Sequence, residues 1–338
     1  MTDATSNLPS RRPRTVLAKI SPRAWEHAAD RAALNALRAI PGFDEVVRKI
    51  YGFFGERGVR LLFQANAVRV GPTQFPRVHS AFSDVCATLD WEPRPELFIS
   101  QTPFANAGAF GMDRPFIVLN SGALNMLDDE ELHTILGHEL GHIMSGHALY
   151  RTILVIILTI GLRGLPFLAG IAILPIQLAL LEWFRKSELS SDRAGLLASQ
   201  DPIASMRMFM KLAGGGKLEE TDLNAFMAQA KEYEQGGDAA DMIAKVINTL
   251  GMTHPFHTLR AAELQRWVEG GDYDRILRGE YPKRGTPEDE RPFSEDFGEA
   301  SKYYADQMKG AVDSVSEVAR KAREAFSSAF SNKGSSSR

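Results

Sequence analysis

The run His138-Glu139-Leu140-Gly141-His142 sets two imidazoles four residues apart, with a carboxylate directly after the first. On a helix of 3.6 residues per turn, His138 and His142 leave from one face, and Glu139 lies about 100° round. Two nitrogen ligands for zinc and a general base are thereby offered within one turn. A zinc site of this kind needs a third protein ligand. A histidine six residues after His142, with glycine at the third, would complete the set from one segment. Those positions hold Ala148 and Ser145, and His147 comes one place early. The remaining common solution is a glutamate on a later helix, and residues 185–195 supply Glu188 as the candidate. Asp192, one turn beyond it, can accept a hydrogen bond from the far nitrogen of a zinc-bound histidine and fix its tautomer. Taken alone, Glu188 and Asp192 read as a solvated helix face; joined to His138 and His142, they read as the second half of a metal site.

The elements that must position these residues are legible around them. Asp128 can cap a helix, Asp129, Glu130 and Glu131 place negative charge in its first turn, and Leu132, Ile135, Leu136, Leu140, Ile143 and Met144 form its apolar stripe. Gly141 lowers helix propensity but leaves room for a close neighbour. Upstream, residues 96–100, 105–110 and 115–120 read as strands of a small antiparallel sheet. A strand just before the metal helix can present an edge to which an extended peptide adds through main-chain hydrogen bonds, so broad specificity is expected.

In the order of its segments the chain resembles the zinc metallopeptidases that include the heat-shock protease HtpX and the CAAX prenyl endopeptidases. Four stretches within residues 60–270 carry the likeness: the strand and turn at 115–122, the segment 102–111 containing Asn106-Ala107, the metal helix, and the segment 253–260 with His254-Pro255 and Arg260 six residues after that histidine. The resemblance implies zinc-dependent endopeptidase activity on a gluzincin-like, mainly helical α+β domain. His138, His142 and Glu188 would bind one zinc ion, Glu139 would act as base, and Asn106, His254 and Arg260 would line the site. Zinc lowers the pKa of water from about 15.7 to near 7; Glu139 would take the proton and return it to the leaving amine. His254 is the expected oxyanion donor, with His257 competing for the role, and Arg260 is expected to pair with Glu188 or Asp192. Asn106 also fits a simple turn role.

Residues 152–184 are apolar except for Arg163, Gln177 and Glu182. Two membrane crossings need about 40 residues plus a turn, so the stretch reads as a helical hairpin with its tip at 163–166 and a second arm interrupted by Pro175. Tyr150 and Trp183 fit an interfacial belt, and Arg151, Arg185 and Lys186 put positive charge at both ends. The expectation is a membrane-dipping hairpin with the active site facing the cytoplasm. The alternative is a cytoplasmic protein with the hairpin packed in protein.

The remaining composition bounds the answer. A net charge of −3 argues against a nucleic-acid partner. Cys86 is the single cysteine, which implies a reducing compartment, and no apolar signal core follows Arg11, Arg12 and Arg14. The organisation reads as a disordered 1–14, bracing helices at 15–60, the peptidase domain at 61–270, a linker at 271–294, an amphipathic helix at 295–330 and a loose tail at 331–338. In the last helix the stripe from Tyr304 to Phe330 suits a partner helix or lipid. The function expected is cleavage of unfolded or membrane-associated polypeptides. The rivals are an inactive zinc-stabilised scaffold and a small-molecule zinc amidase.

Overall fold

The computed structural model describes residues 13–161, 164–235 and 256–289. The expected C-terminal amphipathic helix at 295–330 with its 304–330 stripe, the tail at 331–338 and the His254-Pro255 pair lie outside them. So do residues 1–12 of the expected disordered N-terminus.

Ser21 caps a single 3₁₀ turn, Pro22–Ala24, and a separate helix α1, Ala28–Arg38, follows it. Gly42, at φ 87°, opens α2, Phe43–Gln64, which is interrupted at Gly55. Strand β1, Ala67–Arg69, leads to α3, Pro76–Thr88, then to β2, Glu96–Ser100, β3, Ala107–Phe110, and β4, Phe116–Asn120.

The four strands lie in the order β1-β2-β4-β3, and the sheet is mixed rather than antiparallel. β4 runs parallel to β2, pairing Phe98 with Val118, and antiparallel to β3, pairing Ala109 with Ile117. β4 is therefore internal and buried along Phe116, Ile117, Val118 and Leu119. The edge strands are β1 and β3, so the edge on the β4 side belongs to β3, one strand away from where the sequence places it.

After the short helix α4, Ser121–Met126, comes the metal helix α5, Asp129–Met144. The Asp128 side chain accepts from the Glu131 N–H at 2.9 Å while Glu131 accepts from the Asp128 N–H at 2.9 Å, a reciprocal cap. Glu131 is also bound at 2.6 Å by Lys211 from α8, Pro202–Gly214, which fixes the start of α5 against its neighbour. α5 ends at Ser145, and Gly146, at φ 73°, turns the chain by 96° into α6, His147–Ile160. Only glycine adopts that conformation without steric cost.

α7, Ile173–Ser199, is one continuous helix of 27 residues that carries both the returning hairpin arm and the Glu188 segment. Pro175 does not interrupt it. Proline there occupies the first turn, where its missing N–H has no helical acceptor in any case. The hairpin arms are largely covered by protein: Leu37 of α1, Phe43, Val46 and Ile50 of α2, and Ile153, Ile157, Ile176 and Leu180 share one buried cluster. Trp183 is fully buried against His147 and Tyr150, and Arg151 is buried as well, so neither serves as an interfacial anchor. Leu158, Leu174 and Leu178 of the hairpin remain exposed.

Among the described residues the remaining α-helices are α9, Leu223–Gln235, α10, His257–Glu269, and α11, Asp272–Leu277. Of the expected linker at 271–294, the described residues 271–289 hold α11 and a segment packed on the protein. Ser21 N–H donates to the Pro282 carbonyl at 3.0 Å, Lys283 bridges to Ile20, and the Arg284 guanidinium lies over the Trp91 ring, so 281–289 is docked on the N-terminal segment.

Candidate metal centre

α5 and α7 meet through small residues. Gly137 and Gly141 of α5 face Ala198 and Ala194 of α7, and Gly195 of α7 faces the Thr134 carbonyl and His138. This close approach lets side chains some fifty positions apart converge.

His138 Nε2 and His142 Nε2 are 3.2 Å apart, His142 Nε2 lies 3.2 Å from Glu188 Oε1, and His138 Nε2 lies 3.6 Å from Glu188 Oε2. All three residues are buried. A tetrahedral zinc with bonds of about 2.0–2.1 Å would require ligand atoms about 3.3 Å apart. The spacing and the N, N, O donor set thus fit zinc. Burial holds the His142 pKa well below its ordinary value, with Glu188 opposing only in part, and the neutral imidazole is the form that ligates a cation.

The support around His138 and Glu188 is charged. His138 Nδ1 lies 2.9 Å from Asp192 Oδ1 and donates to it when Nε2 faces the metal. Arg260 from α10 grips Asp192 with two bonds, Nε to Oδ2 at 2.8 Å and Nη2 to Oδ1 at 2.5 Å, and places Nη1 3.2 Å from Glu188 Oε2. Burial alone would raise the Asp192 pKa, but Arg260 and the His138 hydrogen bond outweigh it and hold the carboxyl below its ordinary value. One guanidinium therefore orients both acids of α7.

Glu139, 2% exposed, points into a cavity of about 200 Å³ lined also by Asn106, His138, Glu188, His257 and Arg260. His257 stands at the start of α10. Asn106 lies on that wall too, with its side-chain oxygen accepting from the following Ala107 N–H at 2.8 Å. The partner of Glu139 is one the sequence reading missed. Arg151 Nη1 is 3.1 Å from Glu139 Oε2, and Arg151 Nη2 donates to the Ala107 carbonyl on β3 at 3.0 Å. Arg151 borders a second cavity of about 230 Å³, which Asn106 and Ala107 also line. Its only sequence signal was a cation at the head of an apolar helix, which reads equally well as a membrane anchor.

A paired-histidine helix, a glutamate from a second helix and a further carboxylate in one cavity are the parts that a zinc-dependent hydrolase requires. The comparisons with known proteins agree. The model of peptidase family M48 matches residues 72–268. The chain is 30% identical over 259 residues to the plastoglobule-localized metallopeptidase 48 of Arabidopsis thaliana, covering 75% of each protein. It is 27% identical over 197 residues to a protease HtpX homolog of Tropheryma whipplei, covering 49% of this chain and 65% of that one, and 25% identical over 242 residues to an HtpX homolog of Pseudarthrobacter chlorophenolicus, covering 64% and 80%. No solved structure matches. The chain belongs to peptidase family M48 and is a zinc metalloprotease.

Proposed function

We propose that the chain is an endopeptidase for unfolded or membrane-associated polypeptides, with one zinc ion held by His138, His142 and Glu188. When bound there, zinc supplies Lewis acidity, lowering the pKa of water to near 7 and polarising the scissile carbonyl. Glu139 takes the proton of the attacking water and returns it to the departing amine. Arg151 holds the Glu139 carboxylate in place, and Arg260 with Asp192 holds His138 and Glu188. The donor to the developing oxyanion is His254, or in its place His257, which lines the cavity.

The substrate lies extended beside β3, the edge strand whose Ala107 borders the cavity. Main-chain pairing at such an edge recognises backbone rather than side chains, which favours unfolded chains of varied sequence. Among the described residues no single helix is long and apolar enough to cross a membrane. The exposed Leu158, Leu174 and Leu178 of the hairpin, with the exposed Phe53 of α2 stacked on Phe167, support shallow contact with a lipid surface at the hairpin end, the active site remaining on the cytoplasmic side.

The observation that carries the reading is the convergence of His138, His142 and Glu188 within 4.8 Å beside a carboxylate that is not itself a ligand. The test is casein cleavage by the wild type and by Glu139→Gln, with zinc content measured on both. The expected result is loss of activity by about 10²–10⁴-fold with zinc retained. A Glu139→Gln protein that cleaves at the wild-type rate overturns the mechanism. Peptide hydrolysis absent from a zinc-loaded wild type overturns the function.

A further inference from the structure

The two metal-facing histidines are not supported alike. His138 meets a carboxylate directly, whereas His142 Nδ1 lies 3.1 Å from His147 Nδ1, and His147 Nε2 lies 3.2 Å from Asp30 Oδ2. Asp30 belongs to α1, upstream of the residues that the family model matches. We propose that Asp30, acting through His147, is the outer carboxylate that orients His142 and raises its basicity, so that the N-terminal helix is part of the metal site. The proposal rests on the reading of His138, His142 and Glu188 as zinc ligands.

Proton placement follows from that ligation. With Nε2 of His142 toward the metal, its proton sits on Nδ1 and is donated to the Nδ1 lone pair of His147. The His147 proton then sits on Nε2 and is donated to Asp30 Oδ2. The Ser190 hydroxyl donates to the same oxygen at 2.6 Å, and Ser190 Oγ accepts from the His27 N–H at 2.9 Å. All of these donors converge on the negative charge of Asp30. His142, His147 and Asp30 are 0%, 2% and 2% exposed, so water does not replace a missing link cheaply.

The backbone is arranged for this contact. In a straight helix, residues five apart project about 140° from each other. The bend at Gly146 brings His147 back beside His142, while the Trp183 ring packs edge-on against His147. α1 is held on α7, with Asp30 N-terminal in its helix where a carboxylate is favoured. None of these contacts is needed for Glu188 or His138 to reach the metal.

Zinc affinity, read by competition with a chromogenic chelator on the full chain, tests the relay. The wild type is expected to bind one zinc; a wild type that binds none overturns the metal reading and the relay with it. Asp30→Asn and His147→Phe are each expected to weaken binding by about 10–100-fold. In the His147→Phe background, Asp30→Asn should add less than twofold, because the two act as one unit. Affinity of Asp30→Asn within threefold of wild type, or an equal loss in both backgrounds, overturns the proposal. A second arm does not depend on Asp30 variants folding. His147→Gln, whose amide can accept from His142 and donate to Asp30, should stay within fivefold of the wild type, and equal losses for Gln and Phe at position 147 would overturn the relay.

Discussion

The backbone of Gly137 approaches α7 so closely that a β-carbon placed on it would stand 2.3 Å from Cβ of Ala198. Gly141 repeats the relationship one turn later, its β-carbon meeting that of Ala194 at 2.5 Å. Neither contact is with the far end of a flexible side chain, so the helices themselves must move. Gly137→Ala gains about 1 kcal/mol of helix propensity and incurs about 1–3 kcal/mol of overpacking. The net expectation is lower stability together with weaker zinc binding, since α5 and α7 each contribute ligands. Thermal unfolding of the apoprotein and chelator competition measure the two effects. A Gly137→Ala protein that melts at or above the wild-type midpoint with unchanged zinc affinity would contradict the packing argument.

Arg260 lies between Asp192 and Glu188 with all three groups buried. Its removal leaves two carboxylates facing each other in a low dielectric without their cation. Arg260→Met keeps much of the packing over Phe209 and is expected to cost about 3–5 kcal/mol. Bound zinc should recover part of this by supplying positive charge beside Glu188. Denaturant unfolding with and without zinc provides the comparison, and an equal loss in both conditions would argue against coupling between Arg260 and the metal.

Arg151 contacts the base and the edge strand at once, through Glu139 and the Ala107 carbonyl. Arg151→Met should therefore lower kcat by about 10–100-fold and raise KM, because both the carboxylate and the substrate-binding strand lose their anchor. Zinc content should not change, for neither contact touches a ligand atom. Steady-state kinetics on a fluorogenic peptide, with metal analysis, separates the effects; zinc loss in this variant would place Arg151 in metal binding instead.

What could be read before folding, and what could not, divides along sequence distance and direction. His138, Glu139 and His142 declare themselves because one helical turn fixes their relationship, and Asp128 with Glu131 declares where that helix begins. Glu188 and Asp192 follow from the need for a third ligand, and Arg260, placed at the site by the family resemblance, pairs with both as its charge leads one to expect. The sheet does not read so well. Short apolar strands carry no mark of their neighbours' direction, and the parallel pairing of β4 with β2, which leaves β3 as the edge strand, depends on connections that periodicity cannot see. Arg151 and His147 were obscured by the bend at Gly146, since a helix continued straight would carry them away from Glu139 and His142. Asp30 lies more than a hundred residues from the histidine it serves, and only packing of α1 on α7 joins them.

Glu26 gives the fold a pH dependence of definite sign. Burial, and next the charge of Asp30, raise its pKa from 4.5 to about 7, against opposing contributions from His147 and Arg31. Between those values the folded state holds a proton that the unfolded chain has released. The stabilisation is thus fully present below pH 4.5 and lost as pH rises through about 7. His142 and His27 act in the opposite sense: their pKa values are lowered by burial, so their contribution is lost as pH falls below 6.5. A single pH profile mixes these effects, but the difference between wild type and Glu26→Gln isolates one carboxyl. Glutamine matches the neutral acid in shape and cannot ionise. The two proteins should be nearly equal in stability at pH 4.5, and at pH 8 the variant should be the more stable, by at most about 3 kcal/mol for a shift of this size. Urea unfolding of the apoprotein at both pH values measures the gap. A difference that does not widen from pH 4.5 to 8 would mean that Glu26 ionises in the folded protein as it does in the unfolded chain.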